Sequence, residues 1–181
     1  MLKNYFIYIF IILLFYGCSN KANSFGPYLS KTKNIQFLIK EGKANWEKRV
    51  SPNEASQSRV FLSKAYNLDP NNFEVAVLYA RSCYFIGHYI ETEPIKSDSL
   101  FLEGMNTAWD FIISTDSYQE GTALVEDDSE AKIIGGIENI SQDLIPLLYW
   151  WTANYARYLI TKPVMYRLEN RDKIESALHR V

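Results

Sequence analysis

The chain has 181 residues, 48% of them apolar and 15% aromatic, which is enough for one domain with a real core and too hydrophobic for a disordered protein. With 8 Gly and 6 Pro, helices are favoured over a many-turned β architecture. A net charge of −2 without a basic tract argues against nucleic-acid binding, and two His and two Cys are too few for a His/Cys metal site; no cofactor is implied.

Residues 1–17 read as a processing segment. Lys3 gives a positive start, and Tyr5 to Tyr16 is a twelve-residue uncharged run. That is the length of a signal-peptide apolar region and short of the roughly 20 residues that span a bilayer. Gly17-Cys18-Ser19 follows, where the run meets polar sequence. A small residue and then Cys at that place resembles the lipobox of bacterial lipoproteins. The resemblance implies cleavage before Cys18 and acylation of its sulfur, hence a membrane anchor facing the periplasm. The alternatives are an uncleaved anchor or an ordinary signal peptide. Residues 18–30 are polar, with Gly26-Pro27, and read as a tether; residues 31–181 read as the folded domain.

Within that domain the spacing predicts a first helix from Thr32 to Arg49, with Ile35, Leu38, Ile39, Gly42 and Trp46 on one face. Ser51-Pro52-Asn53 breaks it, and Asn53 can cap a second helix to Leu68, whose buried face is Ala55, Ser58, Phe61, Leu62 and Ala65. Leu68-Asp69-Pro70 ends that helix, because proline disfavours the α conformation in the residue before it. Asn71 or Asn72 can cap a third, from Phe73 to Glu91. Its stripe of Val75, Leu78, Tyr79, Ser82, Ile86 and Tyr89 is widened by Val77, Tyr84 and Phe85, so it should be covered on two sides. Cys83 reads as a small core residue.

Pro94 ends the third helix, and Ser97 or Asp98 can cap a fourth, from Leu100 to Ser114, in which Gly104 would allow close helix approach. From Thr115 to Asp128 the pattern is less regular. The acidic run Glu126 to Glu130 lacks the alternating ligands of a calcium loop and reads as a solvated loop, and Gly135-Gly136 reads as a break. The next helix carries Leu147, Trp151, Asn154, Tyr155 and Tyr158 on one face and Trp150, Ala153 and Arg157 on another, with Pro146 in its first turn. Two adjacent tryptophans point about 100° apart on a helix, so Trp150 and Trp151 cannot share one surface. One should pack in the core while the other faces a groove; two core tryptophans are the alternative. A last helix starts near Asn170, and the chain stops without the polar cap that ends a solenoid, which reads as an incomplete C-terminus.

The fold expected is therefore all-α: stacked helical hairpins of tetratricopeptide-like (TPR) type, a solenoid or bundle. The Cys18 lipobox, the Leu68-Asp69-Pro70 hairpin end, the Val75 to Tyr89 helix, the Leu148-Tyr149-Trp150-Trp151 segment and the Asp172 to Arg180 stretch occur in that order. Together they resemble the T-component (TatT) family of TRAP-type transport systems, across about residues 18–181. The resemblance implies a TPR-like periplasmic lipoprotein that associates with a periplasmic solute-binding protein and TRAP membrane subunits. It also implies handling of hydrophobic or carboxylate ligands, possible homo-oligomers, and a chain that continues beyond Arg180. Trp150, Trp151, Tyr155 and Tyr84 are the expected groove-lining residues. The alternative is an outer-membrane lipoprotein of a glycan or peptide capture system. An enzyme is not expected: His88 and His179 are isolated, with no nucleophile motif or metal-ligand pair beside them.

Overall fold

The structure, a computed structural model, describes residues 27–126 and 128–181. Cys18 and the signal segment lie outside the described residues. The chain from Lys31 to Val181 forms one compact unit. Among the described residues there are nine α-helices and no strand: α1 (Pro27–Trp46), α2 (Pro52–Leu68), α3 (Phe73–Tyr89), α4 (Pro94–Ile113), α5 (Asp116–Ala123), α6 (Ser129–Glu138), α7 (Ile145–Ile160), α8 (Val164–Glu169) and α9 (Arg171–Arg180). A short 3₁₀ turn, Gln142–Leu144, leads into α7. The protein is all-helical, with successive helices packed as stacked hairpins.

Local chemistry sets the boundaries. Leu68 ends α2, and the Asp69 N–H closes onto the Ala65 and Tyr66 carbonyls. Asn72, rather than Asn71, caps α3: its side chain accepts a hydrogen bond from the Val75 N–H at 3.2 Å. Two prolines read as breaks instead open helices. Pro52 is the first residue of α2, so Ser51 and not Asn53 holds the N-cap position, and Pro94 begins α4 six residues ahead of the expected Leu100. Both occupy the first turn, where the missing N–H costs nothing. Asp98 is consequently inside α4, and its carboxylate accepts hydrogen bonds from Thr161 (2.7 Å) and Lys162 (2.8 Å) at the end of α7.

The stretch from Thr115 to Asp128, read as less regular, holds α5 and ends at the cap of α6. Asp128, within the acidic run, caps α6 by accepting from the Glu130 and Ala131 N–H groups. Gly135 and Gly136 are not a break but lie within α6. They let it lie against α5: a β-carbon on Gly136 would strike the Tyr118 ring, and one on Gly121 would strike the Gly135 carbonyl.

α3 is the central element. Ile35, Leu38 and Trp46 of α1 and Ala55, Leu62 and Ala65 of α2 are buried as the spacing predicts, with Leu38, Ala65 and Val75 in one cluster and Leu62, Leu78, Tyr79 and Cys83 in another. On its other side α3 offers Ala76 and Ala80 to the larger core, where Ile112, Ile137, Leu147, Leu148 and Trp151 meet. The expected two-sided burial is present. The second side, however, is led by Ala76 and Ala80 with half-buried Val77 packed beside them, and not by Tyr84 and Phe85. Tyr89, placed by spacing in the buried stripe, is 66% exposed because it stands on the last turn of α3.

α7 crosses the α3–α4 hairpin through a buried polar contact. Asn154, fully buried, donates to the Ala80 carbonyl at 3.0 Å and to the Trp150 carbonyl at 2.7 Å. Gly104 faces it from α4 with room for no side chain. α9 packs on α6 and α7, and Arg180 reaches back to the Ile140 carbonyl.

Candidate binding surfaces

The two tryptophans of α7 part as a 100° step requires. Trp151 is buried, stacks on Trp109 at 4.8 Å between ring centroids, and has Tyr155 against it at 5.2 Å. These rings, with Met105, Ile133 and Lys173, line a small cavity of about 150 Å³. The cavity exists because α4, α6, α7 and α9 converge there around flat rings that cannot fill every corner. Lys173 stands at it with its ammonium 3.2 Å from Asn170 Oδ1 and 3.9 Å from Glu130. Burial raises the Tyr155 phenol well above its ordinary pKa, with neighbouring phenols and Glu130 adding to the effect, so it stays protonated. A mostly apolar cavity of that volume, about five waters' worth, suits one small apolar molecule. The cation beside it would favour an anionic end.

Trp150 points elsewhere. It is half-buried and packs on Tyr84 of α3 at 5.7 Å and Tyr149 at 4.9 Å. Tyr84 continues to His88 (5.5 Å), His88 to Tyr89 (4.3 Å), Tyr89 to Phe85 (5.1 Å) and Phe85 to Trp46 of α1 (5.2 Å). The result is an aromatic strip across α1, α3 and α7. Three arginines border it. The Arg49 and Arg81 guanidiniums lie 4.8 and 4.2 Å from the Trp46 ring centroid, and Arg157 Nη2 is 2.7 Å from His88 Nε2. A guanidinium can only donate, so His88 Nε2 accepts and the ring proton sits on Nδ1. Burial and the Arg157 charge both lower the His88 pKa, which keeps the imidazole neutral near pH 7. Tyr89 and Tyr149, 66% and 49% exposed, are the most open members of the strip.

The four expected groove residues are thus divided. Trp151 and Tyr155 share the small cavity between α4, α6, α7 and α9, and Trp150 and Tyr84 share the surface strip. Sequence reasoning passed over Trp46, Phe85, His88 and Arg157 as partners, although the i, i+4 spacing of Tyr84-His88 and Phe85-Tyr89 was available. It also passed over Lys173, whose helix carries few apolar positions. A second apolar feature lies at the C-terminal end, where Leu159, Ile160, Ile174 and Leu178 line an open concavity of about 450 Å³ beside the exposed α8.

Among the described residues no group of three or more His, Cys, Asp or Glu could hold a metal ion, and no helix is long and apolar enough to cross a membrane. No family model, no curated protein and no solved structure matches the chain.

Proposed function

We propose that this protein is a membrane-tethered accessory component of a TRAP-type solute uptake system, not an enzyme. It is anchored through lipidated Cys18 on the periplasmic side and binds a periplasmic solute-binding protein. The observation that carries the partner-binding reading is the aromatic–arginine strip. Trp, Tyr and Arg are the residue types that dominate binding energy at protein interfaces, because they offer large contact area with a polar or charged handle. Here they are pre-positioned on three packed helices, so little ordering entropy opposes docking. The TRAP assignment rests on the resemblance of the lipobox, hairpin and Trp-Trp segments. The TPR-like character of the stack belongs to the same reading.

The Trp109–Trp151–Tyr155 cavity supports a secondary role, the holding of one small hydrophobic molecule with an acidic end near Lys173. Its volume sets a limit: a molecule much larger than about ten heavy atoms would require the rings to move.

The test is a pull-down from detergent-solubilised native membranes with the full-length protein tagged at its C-terminus. The wild type is expected to recover a solute-binding protein together with TRAP membrane subunits. A Tyr149→Ala/Trp150→Ala variant, checked for wild-type unfolding cooperativity, should lose them. Recovery of an outer-membrane receptor with glycan-handling proteins instead would overturn the transport reading in favour of a capture system. Undiminished recovery by the variant would remove the strip from it.

A further inference from the structure

The side of α3 opposite the strip floors a third concavity. Tyr79 and His88 are nine residues apart, which at 100° per residue puts them on opposite sides of the helix. The Tyr79 side opens into a groove between α2 and α4 of about 510 Å³, the largest of the concavities described here. Along α4 its lining runs from Ser99 to Asp110, about 16 Å of helix. A chain rising about 3.3 Å per residue would place roughly five residues in it.

The groups that line this groove sort into committed and open ones. Glu103 is committed: one oxygen accepts from Arg59 and the other from the Tyr79 hydroxyl, so its charge is neutralised in place. Asp110 is exposed, has no ion pair and no hydrogen bond among the described residues, and lies in the same groove as the Tyr66 ring. Burial and the Asp110 charge both raise the Tyr66 phenol, which places the two groups within electrostatic reach of each other. Thr107 is the informative residue. It is only 4% exposed, it lines the groove, and no described residue hydrogen-bonds its hydroxyl. A threonine within a helix can return its hydroxyl to the carbonyl four residues back, as Thr152 does to Leu148 at 2.8 Å; Thr107 does not. The residue is nearly buried but its hydroxyl opens to the groove, where a ligand's polar group can replace water as its partner. Asn67 and Asn106, both exposed, stand on either wall with amides free to turn into the groove.

We propose that the α2–α4 groove binds an extended basic oligopeptide of about five residues. Asn67, Asn106 and Thr107 take its main-chain amides, and Asp110 with the Tyr66 ring takes one cationic side chain. An asparagine amide offers a donor and an acceptor together, which matches the N–H and C=O of a peptide unit. An unpaired carboxylate beside an aromatic face matches an ammonium or guanidinium. A neutral glycan would use the amides and leave the carboxylate without a counter-charge, and an aliphatic polyamine would use the carboxylate and leave the amides. This site is separate from the partner-binding strip and does not depend on the transport reading.

The experiment is isothermal titration of the full-length lipoprotein in detergent with acetyl-Ala-Ala-Lys-Ala-Ala-amide. The same peptide with Gln for Lys, spermidine and cellopentaose serve as comparison probes. The Lys peptide should bind, and the Gln peptide at least tenfold more weakly. Asp110→Asn should weaken the Lys peptide about tenfold, the loss of one charge-assisted contact. Thr107→Val, nearly the same shape, should weaken both peptides severalfold, while Tyr149→Ala on the strip should leave both unchanged. Absence of Lys-peptide binding would overturn the proposal, as would indifference to both groove variants. Spermidine binding as tightly as the Lys peptide would reduce the site to a charge, and cellopentaose binding in its place would make it a glycan site; either result refutes the peptide assignment.

Discussion

The crossing of α7 over the α3–α4 hairpin rests on two side chains that share one volume, and a double-mutant cycle measures the sharing. A β-carbon placed on Gly104 would lie 2.7 to 2.8 Å from Oδ1, Cγ and Nδ2 of Asn154, against ordinary contact distances of about 3.5 Å or more. Asn154 cannot give way. It is fully buried and held by hydrogen bonds to the Ala80 and Trp150 carbonyls. Gly104→Ala should therefore cost about 1–3 kcal/mol of overpacking, offset by about 1 kcal/mol of helix propensity gained, for a net loss of about 0–2 kcal/mol. Asn154→Ala removes two hydrogen bonds, each contributing about 1 kcal/mol. It also removes a buried Oδ1 that has no partner among the described residues, so its net cost should be near 1 kcal/mol plus a cavity contribution. In the double variant the new methyl group enters the space the amide left. Gly104→Ala on that background should be neutral or stabilising, giving a coupling of about 1–3 kcal/mol, the size of the relieved overpacking. Urea unfolding of the four proteins, compared at a common m-value, measures it. Costs that add within about 0.5 kcal/mol would refute the shared-volume account of the crossing.

Three further outcomes are expected. Trp151→Ala should destabilise by about 3–5 kcal/mol, because Trp151 is buried and stacked on Trp109, whereas half-buried Trp150→Ala should cost less than half of that; denaturant midpoints separate them, and equal costs would contradict the assignment of one ring to the core. Burial pushes the Cys83 thiol up to about 12, with the Glu103 carboxylate adding to the effect, so at pH 8 iodoacetamide should modify Cys83 only in denaturant, as read from the mass of its tryptic peptide; labelling in the native state would place it outside the core. Burial raises the Asp98 carboxyl, but hydrogen bonds from Lys162 and Thr161 outweigh it and hold the pKa below the ordinary carboxylate value. A depressed folded-state pKa contributes stability that is present above the unfolded value near 4 and lost as pH falls through the folded value, so part of the acid-side decline in melting temperature should disappear in Asp98→Asn.

What the sequence disclosed follows from where long-range packing agrees with local pattern. α1, α2 and the first face of α7 were legible because each buries one stripe at three- and four-residue spacing: Ile35, Leu38 and Trp46; Ala55, Leu62 and Ala65; Leu147, Trp151 and Tyr155. Gly104 was legible as a close approach, but Asn154 as its occupant was not, since nothing local links residues fifty positions apart. The α5–α6 pair was missed because glycine has two opposite meanings. Gly121, Gly135 and Gly136 lower helix propensity, which reads as a break, yet only a bare backbone lets two short helices lie that close, with Tyr118 filling the space above. Pro52 and Pro94 were misread for a related reason: the residue that ends one helix by sterics can begin the next by pre-set geometry, and which one holds depends on whether the cap precedes or follows it.

The same logic explains why the candidate site came apart. On a helix, neighbours in sequence are separated by about 100°, so a run such as Tyr149-Trp150-Trp151 cannot line one groove; it must serve as many as three surfaces. The strip draws Trp150 to Tyr84 and Tyr149 outward. The cavity draws Trp151 to Tyr155, and Asn154 between them is spent on the crossing. α3 divides in the same way, with small residues toward the core, Tyr84 and His88 toward the strip, and Tyr79 toward the polar groove. A binding role on either face of this helix therefore leaves the other free. Tyr149→Ala/Trp150→Ala should lose the partner and Asp110→Asn should weaken the Lys peptide about tenfold, each without touching the other interaction, and a single variant that disables both would mean that the faces communicate through α3 itself.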